Sequence, residues 1–143
     1  MAMSFEYKVT GGDFTHAGYA SSQVKKMLKQ LGVDSTVIKR VVVCLYEAEV
    51  NIVAHAWDGV INVDLDTDNI FMKLTDNGPG IADIGQAMQK GFSTASPEVR
   101  EMGFGAGMGL PNISANADNF IIKSEPGVGT TLEISINLNS ATV

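Results

Sequence analysis

The chain has 143 residues and ordinary apolar content, which is enough for one domain with a buried core. Its formal net charge is -6 and it has no basic run, which argues against nucleic acid or an anionic membrane as the main partner. The single cysteine, Cys44, excludes internal disulfides and cysteine-rich zinc sites, and the absence of a long apolar run or secretory signal predicts a cytoplasmic protein.

The first part of the chain predicts one strand followed by two helices. Residues 5–10 alternate apolar and polar side chains, as a half-buried strand does. From about residue 15 to residue 31, apolar side chains recur at helical spacing. A second helix is expected to begin at a cap provided by Asp34 or Ser35 and to continue to about Trp57. Its wide apolar stripe predicts a helix that lies in the core.

One polar line interrupts the apolar character of this second helix. Glu47, Asn51 and His55 are each four residues apart, so they share one helix face. Without a partner motif elsewhere in the chain, an ordinary polar flank is favoured over a functional site for Glu47 and Asn51, and His55 is expected to make a structural contact. Glu49 lies on another side of the helix, where we expect it to be solvated.

A hairpin follows, and it ends in a turn that contains a carboxylate. Residues 60–66 and 70–75 alternate apolar and polar side chains, and turn-forming residues separate them. The second strand leads into Asp76-Asn77-Gly78-Pro79-Gly80-Ile81, where glycine and proline favour a turn. This segment is either a plain surface turn or a recognition loop that lets a ligand approach the backbone.

A glycine-rich segment comes next. Residues 81–88 are expected to form a short helix, and the long non-periodic stretch to residue 108 is typical of a functional lid. Its two basic residues are Lys90 and Arg100. The lid ends in a glycine run that leads to Pro111, which suits the first turn of a helix. Such an arrangement binds phosphate through free N–H groups and the helix dipole. The glycine spacing is neither that of a Rossmann fold nor that of a P-loop.

The last two predicted strands are residues 120–123 and 130–138, joined by a turn at residues 125–129. The order of elements predicts a single domain, residues 1–143, of the α/β (α+β) class. We expect a two-layer sandwich in which a mixed, largely antiparallel sheet is covered on one face by helices.

Four segments in this order resemble the motifs of the GHKL, or Bergerat-fold, ATPases. The N-box Glu-x-x-x-Asn is similar to Glu47-Ala48-Glu49-Val50-Asn51, and Asp-x-Gly-x-Gly is similar to residues 76–80. The Gly-x-Gly-x-Gly box is similar to residues 103–109, and Gly-x-Gly-Thr to residues 127–130. Each motif alone is weak evidence for the family, but an ordered set of four that spans most of the chain is strong evidence.

The resemblance implies a role for each site residue. Asp76, with Thr130 nearby, would accept a hydrogen bond from the adenine of ATP or ADP; Asn51 would ligate Mg²⁺; and Glu47 would act as the general base. The remaining nucleotide contacts implied are Gly78, Gly80, Ile81, Lys90, Gly103, Gly105, Gly107, Met108, Gly109 and Leu110, with Arg100 as an alternative to Lys90.

Within that superfamily the chain resembles the small bacterial anti-sigma factor serine/threonine kinases. The sequence of residues 105–111 resembles that of the stressosome switch kinases of this group. The resemblance implies phosphoryl transfer from ATP to a serine or threonine of a STAS-domain partner. The alternative is a binding regulator that sequesters a sigma factor or another partner without efficient transfer. A homodimer is possible in either case, whereas a histidine kinase or mechanical ATPase is disfavoured because no phosphoacceptor hairpin or transducer domain is present.

Overall fold

The computed structural model describes residues 2–81, 84–89 and 109–139. The strands are β1 (Met3–Thr10), β2 (Asp58–Leu65), β3 (Asn69–Asn77), β4 (Asn119–Glu125) and β5 (Gly129–Asn137). The helices are α1 (Tyr19–Gln30), α2 (Ser35–His55), α3 (Ile84–Ala87) and α4 (Gly109–Asn116), and one 3₁₀ turn spans Phe14–His16. No helix within the described ranges is long and apolar enough to cross a membrane.

The five strands form one sheet in the order β1-β2-β3-β5-β4, and all four pairings are antiparallel. The predicted α/β sandwich is therefore confirmed. The described strands supply no parallel pair, so the mixed component of the prediction is not found among them. The register Thr75↔Thr131 places the end of β3 beside the beginning of β5, which are far apart in sequence.

The core lies between one face of the sheet and the helices. Alternate residues of β2, β3 and β5 are buried, as the period of a pleated strand requires. The helices meet them with Val24 and Leu28 of α1, Leu45 and Ile52 of α2, and Ile113 of α4, each at most 2% exposed. Each such side chain contributes about 1.5–3 kcal/mol by leaving water.

Two helix boundaries differ from the sequence prediction for local reasons. The first helix begins at Tyr19 and not near residue 15, because Gly18 has φ +93°, a conformation that a right-handed helix excludes. The second helix begins after Asp34, whose side chain accepts a hydrogen bond from Thr36 N at 2.8 Å, so the predicted cap is confirmed. It ends at His55, two residues before the predicted end.

Glu49 is buried, so the prediction that it is solvated is wrong. The residue is 2% exposed, and its carboxylate accepts hydrogen bonds from Ala20 N at 3.1 Å, Ser21 N at 3.2 Å and Ser21 Oγ at 3.1 Å. Helix α1 has no side-chain cap of its own, because Gly18 stands at its N-cap. The carboxylate of α2 therefore satisfies the free N–H groups at the start of α1 and lies at the positive end of that helix dipole.

We predict that Glu49→Ala lowers the free energy of unfolding by about 2–4 kcal/mol, because the buried N–H groups of Ala20 and Ser21 lose their acceptor, whereas the Ser21 hydroxyl keeps the carbonyl oxygen of Gly18. Urea unfolding followed by circular dichroism measures the change. Glu6→Ala, at an exposed position of β1, is the control and should change stability by at most about 0.5 kcal/mol. Equal stability of the two variants would contradict the role of Glu49 as a cap.

Candidate functional site

The first part of the site is the carboxylate of Asp76 near the end of β3. Asp76 is half-buried, and its Oδ1 accepts a hydrogen bond from Thr130 N at 3.0 Å. Thr130 itself is only 6% exposed. Antiparallel pairing of β3 with β5 creates this contact. The other carboxylate oxygen, Oδ2, has no hydrogen-bond partner among the described residues, so it can accept a donor from a ligand.

The pKa of Asp76 is raised above its ordinary value. Burial is the largest cause, the N–H of Thr130 opposes it, and the nearby negative charge of Asp58 adds to the increase. The ionised carboxylate of Asp76 therefore lowers the stability of the folded protein when no ligand is bound. Such a destabilised acceptor is typical of a binding site more than of a structural turn.

Residues with no side chain surround this carboxylate. A Cβ on Gly80, which has φ +74°, would lie 2.5 Å from the carbonyl oxygen of Glu125. A Cβ on Gly78 would lie 3.0 Å from Cα of Ala56, and one on Gly129 would overlap the carbonyl oxygen of Asp76. The glycines were expected to let a ligand approach the backbone. What the structure shows is that they let three segments of the protein approach one another.

The first and last glycine motifs form one unit. Gly127 N donates to Pro79 O at 2.8 Å, and Gly78 N donates to Val128 O at 3.3 Å. These bonds join the turn after β3 to the turn before β5. Segments separated by about fifty residues in the sequence thus become the two sides of one loop pair.

A pair of hydroxyl groups supports the same unit, and sequence reasoning missed one of them. Ser124 Oγ accepts a hydrogen bond from Ile81 N at 2.6 Å and lies 2.9 Å from Thr130 Oγ1. In the sequence prediction Ser124 lies between a strand and a turn and has no role. Its position six residues before Thr130, across a tight turn, was the available signal.

The second part of the site is the polar line of α2. Glu47 is half-buried, and its Oε1 lies 3.5 Å from Asn112 Nδ2 of α4, at the limit of a hydrogen bond. A Cβ on Gly109 would lie 3.3 Å from Glu47 Oε2. The carboxylate therefore faces the first turn of α4, where the glycine-rich segment ends. Asn51 is half-buried, and within the described residues its amide forms no hydrogen bond.

His55 ends this helix. It is half-buried, and burial lowers its pKa, so the neutral imidazole predominates at about pH 7. A neutral ring at the end of α2 agrees with the expected structural contact more than with a phosphate-binding cation.

The remaining predicted nucleotide contacts divide into three groups. Leu110 is 8% exposed and packs in the core, so only its backbone is available to a ligand. Ile81 also packs against the core, and Gly109 faces Glu47. The predicted residues Lys90, Arg100, Gly103, Gly105, Gly107 and Met108 lie outside the described residues.

Comparison with known proteins identifies the family of the chain. Residues 13–136 match the model of the family described as "Histidine kinase-like ATPase domain", and the chain belongs to that family. The resemblance to GHKL ATPases is thereby confirmed.

Two curated relatives are similar over most of their length. Serine/threonine-protein kinase RsbT of Bacillus subtilis is 30% identical over 113 residues, which cover 76% of this chain and 79% of the relative. Anti-sigma F factor of Bacillus subtilis is 26% identical over 129 residues, which cover 86% of this chain and 85% of the relative. The relatives thus include a named kinase and a named anti-sigma factor.

A solved structure is similar in fold. It contains the RsbU and RsbW domains of a Mycobacterium tuberculosis protein and aligns with a TM-score of 0.61 at 16% sequence identity. The alignment covers 93% of this chain and 32% of that chain, so the chain spans about a third of the solved protein. This likeness shows the fold alone.

We predict that Asp76→Asn does not lower the thermal stability of the ligand-free protein at about pH 7. The amide oxygen still accepts from Thr130 N, while the cost of burying a charge disappears. A raised folded-state pKa means that wild type gains stability as pH falls through that pKa toward the ordinary value, because the folded carboxyl takes up the proton first. Any advantage of the variant should therefore shrink between about pH 7 and about pH 4.

Melting temperatures of wild type and variant across this pH range test the prediction. Asp64→Asn, at an exposed position of β2, is the control and should show no such trend. A variant that melts well below wild type at neutral pH would show that the charge of Asp76 stabilises the ligand-free fold.

Proposed function

We propose that this protein is an ATP-binding regulatory serine/threonine kinase. It transfers the γ-phosphoryl group of ATP to a serine or threonine of a STAS-domain partner. The observation that carries the proposal is the Asp76 carboxylate, which is half-buried, accepts a hydrogen bond from Thr130 N at 3.0 Å and lies between two glycine-rich turns. Membership of the histidine kinase-like ATPase family and similarity to the kinase named RsbT support it.

Adenine recognition is assigned to Asp76 and Thr130. An ionised carboxylate only accepts hydrogen bonds, so Asp76 Oδ2 suits the exocyclic amino group of adenine and repels the oxygen that guanine has there. The hydroxyl of Thr130 and that of Ser124, 2.9 Å away, supply a further polar contact beside it. Gly78, Gly80 and Ile81 contribute backbone next to the base.

The phosphates are assigned to the region between α2 and α4. Gly109 begins α4, so the positive end of that helix dipole and its free N–H groups lie beside the glycine-rich segment. The backbone of Gly103, Gly105, Gly107, Met108, Gly109 and Leu110 would surround the phosphates, with Lys90 or Arg100 closing over them.

The amide of Asn51 fits a magnesium ion. It is half-buried, it forms no hydrogen bond within the described residues, and a neutral oxygen donor suits Mg²⁺ when phosphate oxygens complete the coordination. Bound Mg²⁺ would neutralise the charge that develops on the transferring phosphoryl group. Asn51 would hold the ion one helical turn from Glu47.

Glu47 is the proposed general base. Its carboxylate accepts the proton of the acceptor hydroxyl as that oxygen bonds to the γ-phosphorus. The bond from the γ-phosphorus to the bridging oxygen breaks, and ADP leaves. The position of Glu47 at the first turn of α4 supports this role, because the phosphates are assigned to the same place.

A binding regulator is the second candidate. Similarity to proteins named anti-sigma F factor favours it, and in that case the protein would sequester a sigma factor or another partner while ATP or ADP sets its shape. The two activities are compatible in one protein, and either could operate as a homodimer.

Intact-mass analysis separates the two candidates. Purified STAS-domain proteins from the source organism are incubated with the protein, ATP and Mg²⁺. A gain of one phosphoryl group on a serine or threonine supports the kinase. Stable complexes with a sigma factor and no mass change support the regulator, and the absence of ATP binding would contradict both.

We predict that Glu47→Gln lowers the transfer rate about 10²–10⁴-fold, because the amide keeps the shape of the side chain but accepts no proton. ATP affinity, measured by isothermal titration calorimetry, should change by less than about threefold. Glu6→Gln on β1 is the control and should transfer at the wild-type rate. Transfer at the wild-type rate by Glu47→Gln would remove the assignment of the base.

We predict that Asn51→Ala abolishes most of the Mg²⁺ dependence of ATP binding. ATP affinity measured with Mg²⁺ should fall toward the affinity measured with excess chelator, because the variant lacks the proposed metal ligand. Asn62→Ala, on β2, is the control. An undiminished response to Mg²⁺ in Asn51→Ala would exclude Asn51 as a ligand.

A further inference from the structure

The exposed face of α1 is positively charged in an acidic protein. The helix has 12 residues and contains three of the ten lysines and arginines, Lys25, Lys26 and Lys29, with no aspartate or glutamate. All three side chains are exposed. Within the described residues none of them forms an ion pair, whereas Arg40 is paired with Asp118 and Lys123 with Glu133.

This charge pattern does not help α1 to fold. Lys25 and Lys29 lie four residues apart and Lys26 and Lys29 three apart, so like charges face each other along the helix. Only Lys29 lies in the last turn, where the helix dipole favours a cation. The helix also lacks an acidic residue in its first turn and a side-chain cap of its own. A local arrangement that opposes stability is expected at a functional surface.

The buried carboxylate of Glu49 compensates for this weakness. Its three hydrogen bonds to Ala20 and Ser21 attach the start of α1 to α2. Glu49 lies two residues after Glu47 and two before Asn51. The charged face of α1 is therefore held in a fixed position relative to the helix that carries the proposed base.

An exposed aromatic residue completes this surface. Tyr19, at the start of α1, is 58% exposed and contacts Tyr7 edge-on, with the ring centroids 6.4 Å apart. At 100° per residue Tyr19 and Lys26 share one side of the helix. Tyrosine is enriched at the centre of protein interfaces and acidic side chains pair with lysine, so the combination fits a protein surface that is acidic around an apolar contact.

We propose that the exposed face of α1, formed by Tyr19, Lys25, Lys26 and Lys29, is the docking surface for an acidic patch on the protein that accepts the phosphoryl group. Charge complementarity identifies the partner: three lysines that have no ion pair within the described residues attract a local acidic patch, while the net charge of -6 disfavours extended polyanions. The inference rests on the proposed kinase function, since the acceptor is the protein that must come close to Glu47.

The double variant Lys25→Glu/Lys26→Glu separates docking from folding. A glutamate four residues before Lys29 forms a favourable helical pair, so the unfolding midpoint should stay equal to wild type or rise. The KM for the STAS-domain acceptor should rise about tenfold at low salt, with kcat within about twofold and ATP affinity unchanged. The difference should diminish as added salt screens the charges.

Two further variants sharpen the test. Lys8→Glu removes an exposed lysine on β1 and changes the net charge by the same amount per site, so it should leave the KM for the acceptor unchanged. Tyr19→Ala should raise that KM without altering ATP affinity. Lys8→Glu changes the net charge by half as much as the double variant does, so an increase in the acceptor KM half as large on a logarithmic scale would show that only net charge matters and would overturn the proposal.

The remaining outcomes are also decisive. Efficient transfer with an unchanged acceptor KM in the double variant overturns the docking surface and leaves the kinase function intact. Failure of wild type to modify any STAS-domain protein overturns both. Binding of wild type, but not of the double variant, to vesicles of anionic lipid, with transfer unaffected, would assign the lysines to a membrane instead of a protein.

Discussion

The hydrogen bond from Thr130 N to Asp76 Oδ1 depends on the whole sheet, and the candidate site depends on this bond. It forms because β5 pairs with β3 in a register that brings Thr131 opposite Thr75. That register is fixed by the alternation of buried and more exposed side chains along β5. A slip by one residue would turn Leu132, Ile134 and Ile136 away from the core. The hydrophobic face of the sheet therefore sets the position of a polar group at its end.

Close packing without side chains extends this constraint to the end of α2. Trp57 N donates to Asn77 O at 2.8 Å, and Gly11 N donates to Trp57 O at 2.8 Å. A Cβ on Gly11 would overlap the carbonyl oxygen of Ala56. A Cβ on Gly78 would lie 3.0 Å from Cα of the same alanine. Backbone contacts thus connect the loop after β1, the end of α2 and the turn after β3. Asp76 keeps its position because three segments fit together where no side chain intervenes.

Most of the fold could be predicted from periodicity, because apolar alternation and helical spacing report directly which face is buried. The Asp34 cap, the core role of α2 and the contact of Asp76 with Thr130 all follow from local patterns or from the resemblance. Glu49 could not be predicted, because its burial depends on where α1 packs and the spacing within α2 carries no such information. The later start of α1 has a similar origin: only the structure shows that Gly18 adopts a positive φ.

The unexpected burial of Glu49 shows how α2 packs against two neighbouring helices. Residues 47 and 49 are separated by about 200° around the helix axis, so one of them was expected to face solvent. Helix α2 instead packs between α1 and α4, so both sides are enclosed: Glu49 binds the start of α1, and Glu47 faces the start of α4. Both neighbours present the positive end of a helix dipole to a carboxylate of α2. The two carboxylates differ in their hydrogen bonds: Glu49 accepts from three donors, whereas within the described residues Glu47 has one contact, at the limit of hydrogen bonding. The first arrangement suits a permanent structural contact, and the second is compatible with the general base that we propose.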